Sequence, residues 1–278
     1  IEAKDVVRIL ESHSALVGLI IEDLKVIKNQ KYLEFDGMWS SSLTDSALRG
    51  KPDNQSVDYS TRILGLNEIL DVTTKPIIFD ADNGGRLEHL PYMIKSLERI
   101  GVSAAIIEDK IGLKKNSLFK DQSEAKQDTI AQFCKKIAKA KETKISDDFM
   151  IIARIESFIL GKDLKDAIKR AEAYSKAGAD AILIHSKETD PSQVFSFAKK
   201  FSKSQYFKPM VAVPSSYSKT FEKDLIKHGF KIIIYANHMM RASYPSMVDV
   251  AKSILINERS YNIEKKISSI KEIINLIR

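Results

Sequence analysis

The stretch DLKDAIKRAEAYSKAGADAILIHS, residues 163–186, contains a complete helix-to-strand unit. Its first half predicts a helix, because apolar residues recur at the spacing of one helical face: Leu164, Ala167, Ile168, Ala171 and Tyr174. Gly178 follows, and glycine readily takes the left-handed conformation that closes a helix C-terminus. The apolar run 181–184 then predicts a strand that is buried on both faces, as in a parallel sheet. The stretch is therefore typical of one repeat of an alternating α/β fold.

The same pattern recurs along the chain. Gly101 and Gly229 also separate a helical pattern from an apolar run. Eight runs predict strands: residues 6–10, 35–39, 76–79, 104–107, 150–153, 181–184, 210–213 and 232–235. Eight such units favour a closed (β/α)8 TIM-type barrel over an open doubly wound sheet, and the 278 residues suit a barrel of typically ~250. The sequence also has no early G-x-G-x-x-G motif for dinucleotide binding.

The domain organisation follows from the absence of a linker rich in Pro, Gly or Ser. We expect one barrel domain over residues 1–278, with C-terminal helices from about residue 241. Residues 257–278 predict a terminal amphipathic helix with a broad apolar face. We expect this extension to pack on its own barrel or, exchanged between subunits, on a neighbour. The expected assembly is a homodimer or a homotetramer.

The composition indicates neither a membrane protein nor a nucleic-acid-binding protein. The sequence has no apolar run of 18 residues, and its start has no apolar signal-peptide region. The net charge of +7 comes from basic residues interleaved with acids, without the basic stripe of a nucleic-acid interface. An anionic small-molecule substrate accounts for this charge equally well. Cys134 is the single cysteine, so we expect no internal disulfide and a reducing, cytoplasmic location.

Polar side chains concentrate where the predicted strands end, whereas the strand interiors contain almost none. They are Glu11, His13, Trp39, Ser40, Ser41, Asp80, Asp82, Glu108, Asp109, Arg154, Glu156, His185, Ser186, Ser215, Asn237 and His238. A barrel gathers the C-terminal ends of its strands on one face. We therefore expect these groups to converge there.

Three carboxylates, those of Asp80, Asp82 and Glu108, follow two neighbouring predicted strands. Carboxylates without thiols form a hard oxygen site, suited to Mg²⁺ that retains several waters. Asp80-Ala81-Asp82 could instead form a turn with self-capping carboxylates, or the Asp-x-Asp motif of a glycosyltransferase. Glu108 on the next strand favours the metal site.

Arg154 and His185 also follow neighbouring strands. An arginine at the end of a buried strand needs an anion, and two sources are open. Arg154 could form a structural ion pair with Glu156 or Glu108, or it could bind a carboxylate or phosphoryl group of a substrate in a bidentate manner. His185 offers a further donor beside it, although a single histidine at a strand end is often structural.

Residues 112–125 form the longest irregular polar stretch, and they lie between a predicted strand and a predicted helix. This stretch could be a plain surface loop. Because the βα loops of a barrel surround its active site, we expect it to be a lid. Residues 25–32 form a second insertion, which lengthens the first helix-to-strand connection.

Motifs spread over almost the whole chain resemble those of one enzyme superfamily. They include Asp36-Gly37-Met38-Trp39, Asp80-Ala81-Asp82, Glu108-Asp109-Lys110 with Asn116-Ser117, Ala153-Arg154-Ile155-Glu156-Ser157-Phe158 and Ala236-Asn237-His238. The set resembles the phosphoenolpyruvate mutase branch of the isocitrate lyase superfamily. The spacing from Glu108-Asp109-Lys110 to Asn116-Ser117 is the most specific motif. The lyases of the superfamily carry a catalytic Cys in this loop, which this sequence lacks.

The resemblance implies a Mg²⁺-dependent isomerase that interconverts phosphoenolpyruvate and phosphonopyruvate, the first step of phosphonate biosynthesis. It implies that Asp80 ligates the metal, while Asp82 and Glu108 hold its waters. The implied substrate-binding residues are Trp39, Ser41, Ser42, Leu43 and Ser117. The implied catalytic residues are Asp53, Lys114, Asn116, Arg154 and His185, with Asp53 matching the family's proposed nucleophile.

The chain departs from the family pattern at three places. Trp39-Ser40-Ser41-Ser42-Leu43 stands where the family has Trp-Gly-Ser-Gly-Leu, and we expect the two added side chains to tighten the backbone cradle for the substrate. Asn83-Gly84-Gly85 replaces Thr-Gly-Tyr-Gly, and the lid lacks the usual Pro. These changes bear on rate and loop motion more than on the type of reaction.

Three alternatives stay open. Phosphonopyruvate hydrolase is a close relative that differs mainly in the lid and in water access, and Asn116-Ser117 favours the mutase. A carbon–carbon lyase acting on a 2-oxo acid or a malate-type substrate is disfavoured by the missing loop cysteine. A non-catalytic barrel would be expected to have lost its metal ligands, yet Asp80, Asp82 and Glu108 are all present.

Overall fold

The computed structural model of the chain describes residues 3–112, 114–118, 121, 122 and 124–277. The chain divides into two compact units, Ile1–Asn237 and His238–Arg278. This boundary lies close to residue 241, where the sequence predicts that the C-terminal helices begin. The first unit contains the predicted closed barrel of eight parallel strands.

The described strands are β1 (Val7–Glu11), β2 (Val26–Lys28), β3 (Lys31–Leu33), β4 (Gly37–Ser40), β5 (Ile77–Asp80), β6 (Ala104–Glu108), β7 (Lys110–Ile111), β8 (Lys126–Gln127), β9 (Met150–Ile155), β10 (Ala181–Ile184), β11 (Met210–Ala212) and β12 (Phe230–Tyr235). The described helices are α1 (Ala15–Asp23), α2 (Ser42–Leu48), α3 (Tyr59–Leu70), α4 (Leu90–Arg99), α5 (Ile130–Thr143), α6 (Leu164–Lys176), α7 (Ser192–Phe201), α8 (Glu222–Lys227), α9 (His238–Asn257) and α10 (Ile270–Leu276), with a 3₁₀ turn at Glu264–Lys266.

The barrel closes in the order β1-β12-β11-β10-β9-β6-β5-β4, and every neighbouring pair is parallel. All eight predicted barrel strands are confirmed to within a few residues. Buried apolar side chains fill the interior: Ile9, Trp39, Ile78, Ala104, Ile106, Ile152, Ala181, Leu183, Val211, Ile232 and Ile234. Because the strands are parallel, their carboxyl ends lie on one face, and the polar residues that follow them share that face.

The helix-to-strand junctions form as the sequence predicts. Asp163 caps α6 by accepting a hydrogen bond from the backbone N–H of Asp166. Gly178 then has a φ of 109°, in the left-handed region that closes the helix. The glycines at the corresponding junctions, Gly101 and Gly229, have φ values of 94° and 86°.

Short antiparallel ribbons occur at the predicted insertion and beside the predicted lid. Across the stretch 25–32, β2 and β3 pair as a hairpin between α1 and β4. The strands β7 and β8, which flank the predicted lid of residues 112–125, pair with each other. Residues 113, 119, 120 and 123 of this lid lie outside the described residues.

The prediction of one terminal helix over residues 257–278 is wrong. The long helix α9 precedes this stretch and ends at Asn257, because Glu258 has a φ of 52° and leaves the helical conformation. The next helix is short, since Ser269 and Glu272 form a capping box that starts α10 only there. Arg278, the last residue of the predicted helix, lies outside the described residues.

Within the described residues, none of the helices has the length and apolar character needed to cross a membrane.

Candidate active site

A pocket opens at the carboxyl ends of the barrel strands. Of the site residues that the sequence predicts, twelve line it: Trp39, Ser41, Ser42, Leu43, Asp53, Asp80, Glu108, Lys114, Asn116, Ser117, Arg154 and His185. Asp82 faces an adjoining cleft beside Gly84 and Arg86 instead. Of the sixteen strand-end residues that were expected to converge, eight line this pocket: Trp39, Ser41, Asp80, Glu108, Arg154, His185, Ser215 and Asn237. The other eight do not line it.

The carboxylate motif at the end of β5 is built as a tight turn. Asp80 Oδ1 accepts a hydrogen bond from the backbone N–H of Asp82 at 3.2 Å, and Asp80 Oδ2 accepts one from Ser42 Oγ at 2.8 Å. Asp82 has a φ of 51°, a left-handed conformation that non-glycine residues keep mainly at functional sites. The self-capping turn is thus present, and it presents the Asp80 carboxylate to the pocket.

Lys114 brings the lid onto this motif. Its Nζ lies 2.8 Å from Asp53 Oδ1 and also contacts Asp82 and Ser42. Burial alone would lower the pKa of Lys114, but Asp80, Asp82 and Asp53 together raise it. Burial also opposes ionisation of Asp80, yet the charge of Lys114, with further cations, holds the pKa of Asp80 well below its usual range. Both groups are therefore charged at neutral pH.

Arg154, two strands along the barrel from Asp80, organises a second wall of the pocket. Its Nε lies 2.6 Å from Glu156 Oε1, and its Nη2 lies 3.3 Å from Glu108 Oε2. The structural ion pair considered from the sequence is thus formed, with both candidate partners. Burial raises the pKa of Glu108 to about 7. Burial would do the same for Glu156, but Arg154 and His185 hold its pKa well below the ordinary value.

His185 lies against this ion pair. Its Nδ1 is 2.9 Å from both Arg154 Nη2 and Glu156 Oε1. Burial, reinforced by the charge of Arg154, lowers the pKa of His185. The imidazole is therefore neutral at neutral pH, and the tautomer decides which neighbour its Nδ1 bonds.

The lid is fastened to the pocket by two residues of the predicted motif. Asn116 Nδ2 donates to Asp53 Oδ2 at 2.8 Å. Ser117 Oγ donates to Glu156 Oε2 at 2.5 Å and accepts from Arg154 Nη2 at 3.0 Å. The motif that the sequence singled out thus joins the lid to both walls of the pocket.

The added serines of the cradle do not strain the backbone. Ser40 ends β4 and Ser42 begins α2, both with ordinary negative φ. Their hydroxyls are used, since Ser40 Oγ donates to Asp45 Oδ2 at 2.9 Å and Ser42 Oγ donates to Asp80. The backbone N–H of Ser42 also points at Asp80 Oδ2, at 3.4 Å. The two serine hydroxyls therefore bind the carboxylates of Asp45 and Asp80, and the backbone cradle is not tightened as the sequence predicts.

Sequence reasoning missed or undervalued four residues around the site. Lys110 was given no role, yet its buried Nζ donates to Ser117 Oγ and to the carbonyl of Lys115, both at 2.8 Å. Ser215 lines the pocket with a buried Oγ that has no hydrogen-bond partner among the described residues. Arg62 and Asp45 form a buried ion pair at 2.7 Å. The one available signal was that Arg62 falls on the apolar face of α3.

The donor set fits a divalent cation that keeps most of its waters. Among the described residues, no group of three or more His, Cys, Asp and Glu side chains already forms a metal cage. Around the carboxylate motif, however, four aspartates pair with two cations, Arg62 and Lys114; the aspartates are Asp45, Asp53, Asp80 and Asp82. This excess of negative charge on oxygen donors suits Mg²⁺, which is typically bound through one or two carboxylates.

Comparison with known proteins identifies the family. A model of the phosphoenolpyruvate phosphomutase family matches residues 1–255. The phosphoenolpyruvate phosphomutase of Tetrahymena pyriformis is 36% identical over 278 residues, which cover 99% of this chain and 88% of that protein.

Solved structures agree in fold over the whole chain. The phosphoenolpyruvate phosphomutase of Streptomyces platensis subsp. rosaceus matches with a TM-score of 0.91 at 33% identity, covering 99% of this chain and 91% of that one. A phosphonopyruvate hydrolase in complex with oxalate and Mg²⁺ matches with a TM-score of 0.86 at 31% identity, covering 98% and 89%. The chain is therefore an enzyme of the phosphoenolpyruvate phosphomutase family, within the PEP mutase/isocitrate lyase superfamily.

Proposed function

We propose that this enzyme interconverts phosphoenolpyruvate and phosphonopyruvate and that it requires Mg²⁺. The observation that carries the proposal is the lid contact between Asn116 and Asp53, at 2.8 Å, above a pocket that also holds Asp80, Arg154 and His185. A mutase must keep both halves of one molecule fixed while a phosphoryl group moves from oxygen to carbon. A lid fastened across the pocket serves that requirement.

Asp80, Asp82 and Glu108 would hold the metal, with Asp80 as the ligand and the other two as partners of its waters. When bound, Mg²⁺ would stabilise negative charge on the pyruvate enolate. Ser41 and the N-terminus of α2 would bind the carboxylate end of the substrate, because backbone N–H groups at a helix start favour anions. Trp39 would form one wall of this end of the pocket.

Arg154 and His185 would hold the phosphoryl group. Phosphoryl transfer passes through a loose transition state that needs positioning and charge stabilisation more than covalent help. Arg154 is fixed by Glu156 and Glu108 and presents a permanent charge. We propose that His185, whose Nδ1 is held 2.9 Å from both Arg154 Nη2 and Glu156 Oε1, contacts the phosphoryl oxygens beside Arg154.

Asp53 would receive the phosphoryl group or support its passage. Its two oxygens contact Lys114 and Asn116, so the carboxylate is held in one orientation by the lid. Lys114 and Asn116 would also exclude water, which would otherwise capture the phosphoryl group. Phosphonopyruvate hydrolase is the second candidate, because a structure of that enzyme matches nearly the whole chain.

The test is to incubate the enzyme with phosphonopyruvate and Mg²⁺ and to follow the products by phosphorus NMR. We expect phosphoenolpyruvate as the product. Pyruvate and free phosphate would select the hydrolase, and turnover of neither compound would exclude both. A single domain over residues 1–278, a homodimeric or homotetrameric assembly and a cytoplasmic location stay predictions.

A further inference from the structure

Arg62 is a buried arginine that joins two strand ends below the pocket. It lies on α3 with only 3% of its surface exposed. Its Nη1 donates to the backbone carbonyl of Asp80 at 2.5 Å, and its Nη2 donates to the carbonyl of Ser40 at 3.2 Å. The guanidinium also stacks on Phe79, with its carbon 4.1 Å from the ring centroid. One side chain thus fixes the end of β4 against the end of β5.

The same guanidinium reaches the second carboxylate of the motif. Arg62 Nη1 lies 3.7 Å from Asp82 Oδ2, so one nitrogen faces both the backbone of Asp80 and the side chain of Asp82. Asp82 needs such support, because its φ of 51° persists only where the surroundings hold it. Without this planar guanidinium fork of Arg62, the relative positions of the Asp80 and Asp82 carboxylates would be less defined.

Asp45 holds Arg62 in place and links it to the serine cradle. Asp45 Oδ2 accepts from Arg62 Nε at 2.7 Å and from Ser40 Oγ at 2.9 Å. The backbone N–H of Asp45 donates to the carbonyl of Ser41, in the first turn of α2. The pair of Arg62 and Asp45 therefore connects the predicted substrate cradle with the predicted metal motif.

We propose that Arg62, oriented by Asp45, is a positioning residue that sets the affinity of the Asp80–Asp82 motif for the divalent cation. The inference rests on the proposed metal-dependent function. Two effects of Arg62 oppose each other. Its positive charge repels a cation, whereas its fork holds the carboxylates in their binding geometry, and the proposal is that the fork prevails.

The test compares Mn²⁺ binding to the wild type and to the variants Arg62→Lys, Arg62→Met and Asp45→Asn, by EPR of free Mn²⁺ in the absence of substrate. Arg62→Lys keeps the charge but cannot form the planar fork. We expect it to bind Mn²⁺ about tenfold more weakly, the usual loss when a partner of a metal-holding group is removed. Asp45→Asn, which disturbs the fork less, should show a smaller loss in the same direction.

Arg170→Lys is the matched control for stability. Arg170 is a second buried arginine, and it donates to Asp109 at 3.1 Å and to Tyr174 Oη at 2.7 Å. This variant should lower the melting temperature as much as Arg62→Lys does, while it leaves Mn²⁺ affinity within about twofold.

In turnover assays, Arg62→Lys should raise the half-saturating Mg²⁺ concentration and change kcat at saturating Mg²⁺ little.

The outcomes separate the inference from the proposed function. Unchanged Mn²⁺ affinity in Arg62→Lys, or an equal loss in Arg170→Lys, would overturn the positioning role even if the wild type is an active mutase. Tighter Mn²⁺ binding in Arg62→Met would show that repulsion prevails and would also overturn it. A tenfold loss in Arg62→Lys alone would support the inference even if phosphonopyruvate is not turned over.

Discussion

The two walls of the pocket balance their charges differently. On or beside the first wall, four aspartates, of which Asp53 and Asp80 line the pocket, face Arg62 and Lys114, and the charge of Arg154 also acts on Asp80. On the second wall, Glu108 and Glu156 face Arg154 and Lys110, so acids and bases are equal in number. The aspartates of the first wall therefore offer more unneutralised carboxylates to an added dication than the second wall does.

The second wall can become favourable for an anion through a change in the charge of Glu108. The pKa of Glu108 is raised to about 7 by burial, so this carboxylate gives up its charge more readily than an exposed glutamate. When Glu108 is neutral, the wall of Arg154 carries a net positive charge. The contrast supports a division of roles, in which Asp80 and Asp82 face the metal and the enolate end, Arg154 faces the phosphoryl end, and Glu108 lies on the strand between them.

Asp80→Ala should have the largest effect, because it removes the proposed ligand from the first wall. We expect kcat/KM to fall on the order of 10³-fold, since a bound metal supplies several kcal/mol of charge stabilisation, and Mn²⁺ binding to be lost. The control is Asp71→Ala at an exposed position. Full activity with normal Mg²⁺ dependence in Asp80→Ala would show that this wall does not hold the metal.

Arg154→Lys should break the second wall and spare the first. Lysine keeps the charge beside Glu108 and Glu156, which avoids an unpaired buried carboxylate, but it cannot hold a phosphoryl group bidentately. We expect kcat/KM to fall about 100-fold, the usual cost of losing one donor to a developing charge. Mn²⁺ affinity should fall far less than it does in Asp80→Ala, because lysine keeps the charge beside Glu108. A loss of Mn²⁺ binding as large as that in Asp80→Ala would contradict the division into two walls.

Asn116→Ala should loosen the lid where it meets the first wall. It removes a hydrogen bond to the Asp53 carboxylate, worth about 1.5–3 kcal/mol, so kcat should fall about tenfold or more. Because water then enters, free phosphate should appear beside the isomerised product. Lys115→Ala, in the same lid but paired with exposed Asp121, is the control. A slower variant without phosphate release would show that the lid does not exclude water.

Glu108→Gln should have the smallest effect. It should change how the stability of the folded protein depends on pH in metal-free buffer. The folded state raises the pKa of Glu108 from 4.5 to about 7, so it binds this proton more tightly than the unfolded state does. The stabilisation that Glu108 contributes to the folded state is therefore fully present below about pH 4.5 and is lost as the pH rises through about 7. The melting temperature of the wild type should fall relative to Glu108→Gln over this range.

The matched variant for this measurement is Glu156→Gln. The pKa of Glu156 is held well below its ordinary value, so its contribution is present above about pH 4.5 and is lost only at lower pH. Between pH 5 and 8 the difference between wild type and Glu156→Gln should stay constant. Equal pH dependence in both variants would show that the two glutamates share the charge of Arg154 evenly.

The barrel could be predicted because each repeat carries its own local signals. A helical stripe, a closing glycine and an apolar run, as in residues 163–186, determine one unit without reference to distant residues. The prediction of a single terminal helix is wrong because the local signals conflict in that stretch. The apolar spacing of Ile263, Ile267 and Ile270 continues, but the left-handed Glu258 and the capping box at Ser269 interrupt the backbone.

The site could be predicted to the extent that its residues follow strands. Asp80, Arg154 and His185 were found because strand ends must converge. Arg62 was missed because it comes from a helix, eighteen residues before its partner Asp80, and only the folded barrel brings them together. A buried charge on an apolar helix face has no local partner in the sequence, so its role follows from tertiary contacts alone.

The central claim is that the phosphoryl group moves within one molecule and never passes to water. The most direct measurement is phosphorus NMR of phosphonopyruvate with Mg²⁺ and the enzyme in ¹⁸O-labelled water. We expect phosphoenolpyruvate without ¹⁸O in the three non-bridging oxygens of its phosphoryl group, and no inorganic phosphate. Inorganic phosphate that carries ¹⁸O, formed with pyruvate as the main product, would contradict it.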